Sequence, residues 1–221
     1  MDLISRENDV HGMIHTMLFL TSSNNFVTKN FIQYLPKKPR DLRLTFIPTA
    51  AEVEEGSMSW LKDDRQAIAD NGYQITDFTL TGKSKTDVME MLNETDFVFV
   101  SGGNTFFLLQ EMRKSGFAEL IHEYIAKGMI YGGSSAGSIV AGPDISLAKE
   151  LDDPQLAPDL KDYKGLGLVD VVVLPHWGSE HFRSRYEKVM MSGYKKGLKI
   201  LLLTDDQYLL VNDGKYTIES M

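Results

Sequence analysis

"MIYGGSSAGSIVAG", residues 129–142, sets a short apolar run against a run of small residues and then resumes an apolar pattern. Within it Gly133-Ser134-Ser135-Ala136-Gly137 satisfies G-x-S-x-G, with a strand pattern before and a helix pattern after. In a nucleophile elbow the serine sits on a sharp strand-to-helix turn, where only small neighbours avoid collision of backbone and side chains. Ser135 is then the exposed nucleophile and Ser134 a small neighbour. The competing reading is a tight turn whose serine does no more than cap the helix.

Working outward, β-rich apolar runs alternate with helix-patterned ones, the sign of βαβ units and a mostly parallel sheet. The runs are 17–23, 42–50, 73–80, 96–103, 128–135, 168–176 and 199–205, enough for one covered seven-stranded sheet. Between them 59–72 is amphipathic and stops at Asn71-Gly72, and 105–116 and 117–128 each stop at a glycine. The last run, 208–219, carries Asp213-Gly214 between alternating segments and reads as a β-hairpin closing a sheet edge. The stretch 143–167, with Pro154, Pro158 and many acids, lacks a clear period and reads as a functional loop.

With 221 residues, 43% of them hydrophobic, the chain can bury one sizeable core. Patterned sequence begins near Met17, so the expected organisation is an N-terminal extension, 1–16, and a single α/β domain, 17–221. The formal net charge of -8 and the absence of any basic cluster argue against a nucleic-acid partner. No apolar run approaches the ~20 residues needed to span a bilayer, and the polar N-terminus lacks a signal core. Cysteine is absent, which excludes disulfides, thiolate catalysis and Cys-ligated zinc and fits a reducing compartment. A cytoplasmic protein is expected, with no membrane partner.

A serine needs a base and an oxyanion site, and in parallel sheets the working edge lies at the carboxyl ends of the strands. Three segments arrive there: Ser101-Gly102-Gly103-Asn104-Thr105, the serine turn, and Pro175-His176-Trp177. His176 ends a buried strand and is the candidate general base, with His181 as backup. His11 and His15 lie in the extension, and His122 falls in a helix pattern. The N–H groups of Gly103 and Ala136 are the candidate oxyanion hole. Asn104 or Thr105 caps the following helix, and Asn104 is also a candidate substrate contact. The carboxylate that would orient His176 is sought in the long loop among Asp144, Glu150, Asp152 and Asp153, and composition does not choose among them. His176, Glu180 and His181 form H-x-x-x-E-H, which matches no zinc-peptidase spacing, so neither metal nor cofactor is expected.

The segments "FVFVSGGNTFFLLQEMRKSG", "IAKGMIYGGSSAGSIVAGP" and "VVLPHW", in this order, resemble the dipeptidase E (aspartyl dipeptidase) family of serine peptidases, relatives of cyanophycinase. The likeness covers most of the chain from Met17 onward. It implies a flavodoxin-like, class I glutamine-amidotransferase-like α/β fold and hydrolysis of short peptides through an acyl-enzyme. Carried over by position, it makes Ser135 the nucleophile, His176 the base, and Gly103 with Ala136 the oxyanion hole. Lining up Pro143 and Ile145 places the third member at Glu150, where the better-known enzymes have Asp. Aspartyl dipeptidases bind an N-terminal Asp through a basic residue on a long loop beyond the histidine. Here that connection is short, with Arg183 and Arg185 the available cations, whose other reading is a helix face paired with Glu187 or Glu180.

Two further function classes fit the residues. An α/β-hydrolase esterase shares G-x-S-x-G and the order serine, acid, histidine. A non-catalytic member of the same fold would use the pocket to bind a peptide or metabolite.

Overall fold

Strand alternation sorts the apolar side chains onto two faces of one sheet, which fixes the layers. In β1 (Met17–Thr21) Leu18 and Leu20 face one core while Met17 and Phe19 face the other. The same division holds in β4 (Phe97–Val100), with Val98 and Val100 on the first face and Phe97 and Phe99 on the second. Slipping either strand by one residue would exchange both sets at once, so burial specifies the register. The computed structural model describes residues 16–221, apart from the side chains of Asn25, Phe26 and His181. All of the expected extension except Thr16 lies outside the described residues, as do His11, His15 and the side chain of the backup base His181.

Besides β1 and β4 the main sheet contains β2 (Arg43–Ile47), β3 (Gln74–Asp77) and β5 (Ile130–Ser134), all parallel. A hairpin of β8 (Gln207–Asn212) and β9 (Lys215–Ser220) completes it, in the order β3-β2-β4-β5-β1-β8-β9. Asp213 and Gly214, at φ 50° and 75°, form the tight turn foreseen from the Asp-Gly pair, and β8 pairs antiparallel with β1.

Helices cover both faces. The Phe19 face is closed by α1 (Asn24–Val27), the turn around Phe31 and α2 (Ser59–Asp70), through Val27, Phe31 and Ile68. The Leu18 face receives α3 (Lys85–Asn93), α4 (Thr105–Lys114), α5 (Phe117–Ala126) and α6 (Ala136–Ala141). This is the expected three-layer α/β fold with a mostly parallel sheet and a C-terminal hairpin.

The strand inventory holds, but the sheet is divided. The short strands β6 (Val172–Leu174) and β7 (Ile200–Leu202) pair in parallel with each other and form a separate two-stranded sheet. The hairpin explains the difference: β8 occupies the edge of β1 from Met17 to Thr21, where a further parallel strand would have to dock. Two helices follow β6, α7 (Glu180–Arg183) and α8 (Tyr186–Lys196). The small sheet buries Val172 and Leu174 with Leu147 and with Val189 of α8, a satellite core of its own. Because β4, β5 and β1 are neighbours, the segments after their carboxyl ends meet along one rim, and the ends of β6 and β7 close on it from the side.

Candidate active site

Steric fit at the serine turn explains its composition. A Cβ on Gly133 would lie 2.5 Å from the Gly137 carbonyl, and one on Gly137 would lie 2.3 Å from the Val100 carbonyl oxygen. Both are closer than atoms can approach, so β5 and α6 turn this sharply only with glycine on either side of the serine. Tyr131 donates its hydroxyl to Gly137 O at 2.7 Å, and Ser138 Oγ reaches Thr21 O and Gly133 O at 2.7 and 2.8 Å, fastening α6 to the sheet. Ser135 is held at φ 49°, ψ -107°, a costly backbone for a residue with a side chain. Such strain is retained where the surroundings over-determine it, and it aims Oγ out of the turn.

Ser135 Oγ lies 3.0 Å from His176 Nε2. The histidine also has positive φ, 59°, and is fixed from every side. Its backbone N–H donates to Ser22 Oγ at 2.7 Å, its carbonyl accepts from the Tyr186 hydroxyl, and its ring stacks on Phe182 with centroids 5.0 Å apart. Its Nδ1 lies 2.7 Å from Asp205 Oδ1, which also accepts from Ser22 Oγ at 2.8 Å. The bond from His176 holds the Asp205 carboxyl below the ordinary carboxylate range, and the Ser22 hydroxyl adds to that.

The carboxylate on His176 is therefore Asp205, at the end of β7, rather than Glu150. Glu150 ends a 3-10 turn over Ser146–Glu150, does not line the cleft, and makes no side-chain hydrogen bond or ion pair among the described residues. The other loop candidates have local work: Asp144 accepts from Ser146 N–H, Asp153 from Gln155 N–H, and Asp152 Oδ2 from Thr105 N–H at 2.9 Å. Asp205 was findable by the rule that located Ser135 and His176, since "KILLLTD" places it at the carboxyl end of a recognised strand.

Gly103 sits at φ 126°, and a Cβ there would lie 2.3 Å from the Ala50 carbonyl, so the chain passes the cleft only as glycine. The Ser135 N–H donates to Thr21 O. The N–H groups of Gly103 and of Ala136, the first residue of α6, have no acceptor among the described residues. Asn104 is committed elsewhere: Oδ1 caps α4 by accepting from Phe106 and Phe107 N–H, and Nδ2 donates to Asp153 O at 3.0 Å. Arg185 donates to Leu151 O at 3.0 Å and lies over the Phe182 ring; Arg183 is exposed, and neither lines the cleft. The structure thus gives these three candidate substrate contacts no surface in the cleft.

The cleft holds about 420 Å³ and is lined by Ser22, Trp60, Gly102, Gly103, Ser135, His176 and Phe182, with Glu54, Asp64 and Asp152 as its charged walls. That volume suits a small ligand. Among the described residues there is no group of three or more histidines and acids placed to hold a metal ion, and no helix is long and apolar enough to cross a membrane.

Comparison with known proteins identifies the family. The model of Peptidase family S51 matches residues 18–219. The uncharacterized peptidase Lin0382 of Listeria innocua is 35% identical over 89% of this chain and 92% of its own length. Peptidase E of Streptomyces coelicolor is 31% identical over 80% of the chain and 71% of its own. The crystal structure of a protein assigned to peptidase E from Listeria monocytogenes EGD-e superimposes with a TM-score of 0.86 at 30% identity, covering 94% of this chain and 99% of that one. The chain belongs to Peptidase family S51 and is a serine peptidase.

Proposed function

We propose that the protein hydrolyses dipeptides or other short peptides through an acyl-enzyme, using Ser135, His176 and Asp205. The observation that carries this reading is the unbroken relay from Ser135 Oγ to His176 Nε2, 3.0 Å, and from His176 Nδ1 to Asp205 Oδ1, 2.7 Å. Ser135 Oγ attacks the scissile carbonyl while its proton passes to His176 Nε2. Asp205 keeps the other ring proton on Nδ1 and stabilises the imidazolium as it forms. The carbonyl oxygen, now an anion, accepts from the Gly103 and Ala136 N–H groups. His176 then gives its proton to the leaving amine, the C–N bond breaks, and an ester to Ser135 remains. Water attacks that ester by the same route in reverse, releasing the acid and restoring the hydroxyl.

The small volume of the cleft, about 420 Å³, supports short substrates over folded proteins. Lack of cysteine suits a reducing compartment such as the cytoplasm, and each step written above uses only side chains and backbone of this chain with water. Replacing Ser135 by Ala should cut peptide turnover by about 10⁴-fold or more, and abolish labelling by a fluorophosphonate, without unfolding the chain. Turnover within tenfold of the parent would overturn the mechanism. Comparing an ester with the matching amide separates a peptidase from an esterase, and a folded protein that is never labelled would be a binding module.

A further inference from the structure

We propose that the cleft selects a positively charged group on the substrate, through Glu54 and Asp152, and disfavours the N-terminal aspartate expected from the family resemblance. This rests on the reading of Ser135 and His176 as catalytic, and it concerns what the same cleft admits.

Beside His176, the ionisable side chains that line the cleft are all carboxyls: Glu54, Asp64 and Asp152. No lysine or arginine lines it. Of the two arginines that follow His176 in sequence, Arg183 is exposed and Arg185 donates to the Leu151 carbonyl, near enough for its charge to act on Asp152 but outside the cleft lining. A substrate carboxylate entering here would meet charges of its own sign and no guanidinium fork.

Asp152 is placed by a built loop rather than left to solvent. Its backbone N–H donates to Ala148 O at 2.7 Å, Arg185 grips Leu151 O, and Asn104 Nδ2 grips Asp153 O. Its Oδ2 accepts from Thr105 N–H at 2.9 Å, which fixes the carboxyl in the cleft wall. Glu54, exposed, lines the same cleft; partial burial raises its carboxyl and the charge of Asp152 adds to that, while burial raises Asp152. Among the described residues Glu54 makes no ion pair and its side chain makes no hydrogen bond. The charges of His176 and Arg185 act on Asp152 in the opposite sense to burial; two carboxyls lining the space beside the nucleophile gain from a substrate cation set near them.

A substrate can supply that cation as the free α-ammonium next to the scissile carbonyl or as a lysine or arginine side chain. The chemistry is the same, and acetylation separates the sources. The test uses the full chain and p-nitroanilides with N-terminal Lys, Arg, Met or Asp, each free or Nα-acetylated, compared for the parent, Glu54→Gln and Asp152→Asn. An uncharged fluorophosphonate, whose labelling rate reports Ser135 without charge recognition, normalises every variant.

The expected result is a kcat/KM for Lys at least about 100-fold above Asp. Glu54→Gln should compress that ratio by about tenfold, chiefly through KM. Preference for Lys that survives acetylation identifies the side chain as the bound cation, and uniform loss on acetylation identifies the α-ammonium. Cleavage of Asp as well as Lys, or rankings that neither variant moves while labelling persists, would overturn the proposal. Failure of the parent to be labelled would instead remove the catalytic reading beneath it. Glu54 lies on the rim, so Glu54→Gln remains informative should Asp152→Asn disturb the loop.

Discussion

Replacing Asp205 by Asn leaves size and shape nearly unchanged and removes one charge from the histidine. Unit charges about 4 Å apart interact by about 4 kcal/mol at an effective dielectric constant of ~20. The Asp205 side chain is 42% exposed, and water screening at such a site lowers this to about 2–3 kcal/mol, or ~30- to 150-fold in rate. A second loss follows from the amide. Its NH₂ can donate to Nδ1, which leaves the ring proton on Nε2 facing Ser135, where the nitrogen no longer accepts; in serine peptidases the two losses together reach about 10⁴-fold. The expected outcome is a fall in kcat of about 10²- to 10⁴-fold with KM little changed. Steady-state hydrolysis of a peptide p-nitroanilide, with fluorophosphonate labelling and a thermal melt on the same samples, measures it. Glu150→Gln is the companion variant and should stay within about threefold of the parent. If Asp205→Asn kept a tenth or more of the parent rate while Glu150→Gln lost a hundredfold, the orienting carboxylate would be misassigned.

Ser22→Ala removes the hydroxyl that accepts from His176 N–H and donates to Asp205; kcat should drop about tenfold, with about 1 kcal/mol of stability lost in a denaturant titration. Gly137→Ala forces a methyl to within 2.3 Å of the Val100 oxygen, and a loss of several kcal/mol should appear as poor soluble yield or a sharply lowered Tm. Asp152→Asn should raise Tm at neutral pH, because the folded-state carboxyl is raised by burial and ionising it there costs stability. Asn can still accept from Thr105 N–H. The sign is that of a group favoured when protonated: its relative contribution is full below about pH 4, where unfolded Asp is neutral, and is lost as pH rises through the higher folded value. Melts at pH 7 and near pH 3.5 should therefore differ between the two proteins at the first and converge at the second.

Ser135 and His176 were legible because each stands where a recognisable strand runs out, and a turn of small residues or a Pro-His pair marks the spot. The hairpin was legible for a similar reason, since Asp213-Gly214 suits a turn with two positive φ values. Division of the strands between two sheets was not legible. It depends on which partner wins the edge of β1, a competition between β8 and any other strand that no local pattern records. Asp205 was hidden by the same fact. Family order directs attention to the acid between serine and histidine, whereas the partner of Nδ1 comes from 29 residues beyond the histidine, across the β6–β7 pair. Asp152 illustrates the converse: the sequence offers it as one of four candidates to orient His176, and its bond from Thr105 N–H sets it in the cleft wall instead.

The division of strands has a mechanical consequence. His176 and Asp205 ride on β6 and β7 as one unit, while Ser135 belongs to the large sheet, so the 3.0 Å gap between hydroxyl and imidazole is the relay contact that spans the seam between them. Slight sliding along that seam would lengthen proton transfer without unpairing imidazole from carboxylate. Ser22, rooted at the tip of β1 and bonded to both members of the smaller unit, is the pin that sets the spacing.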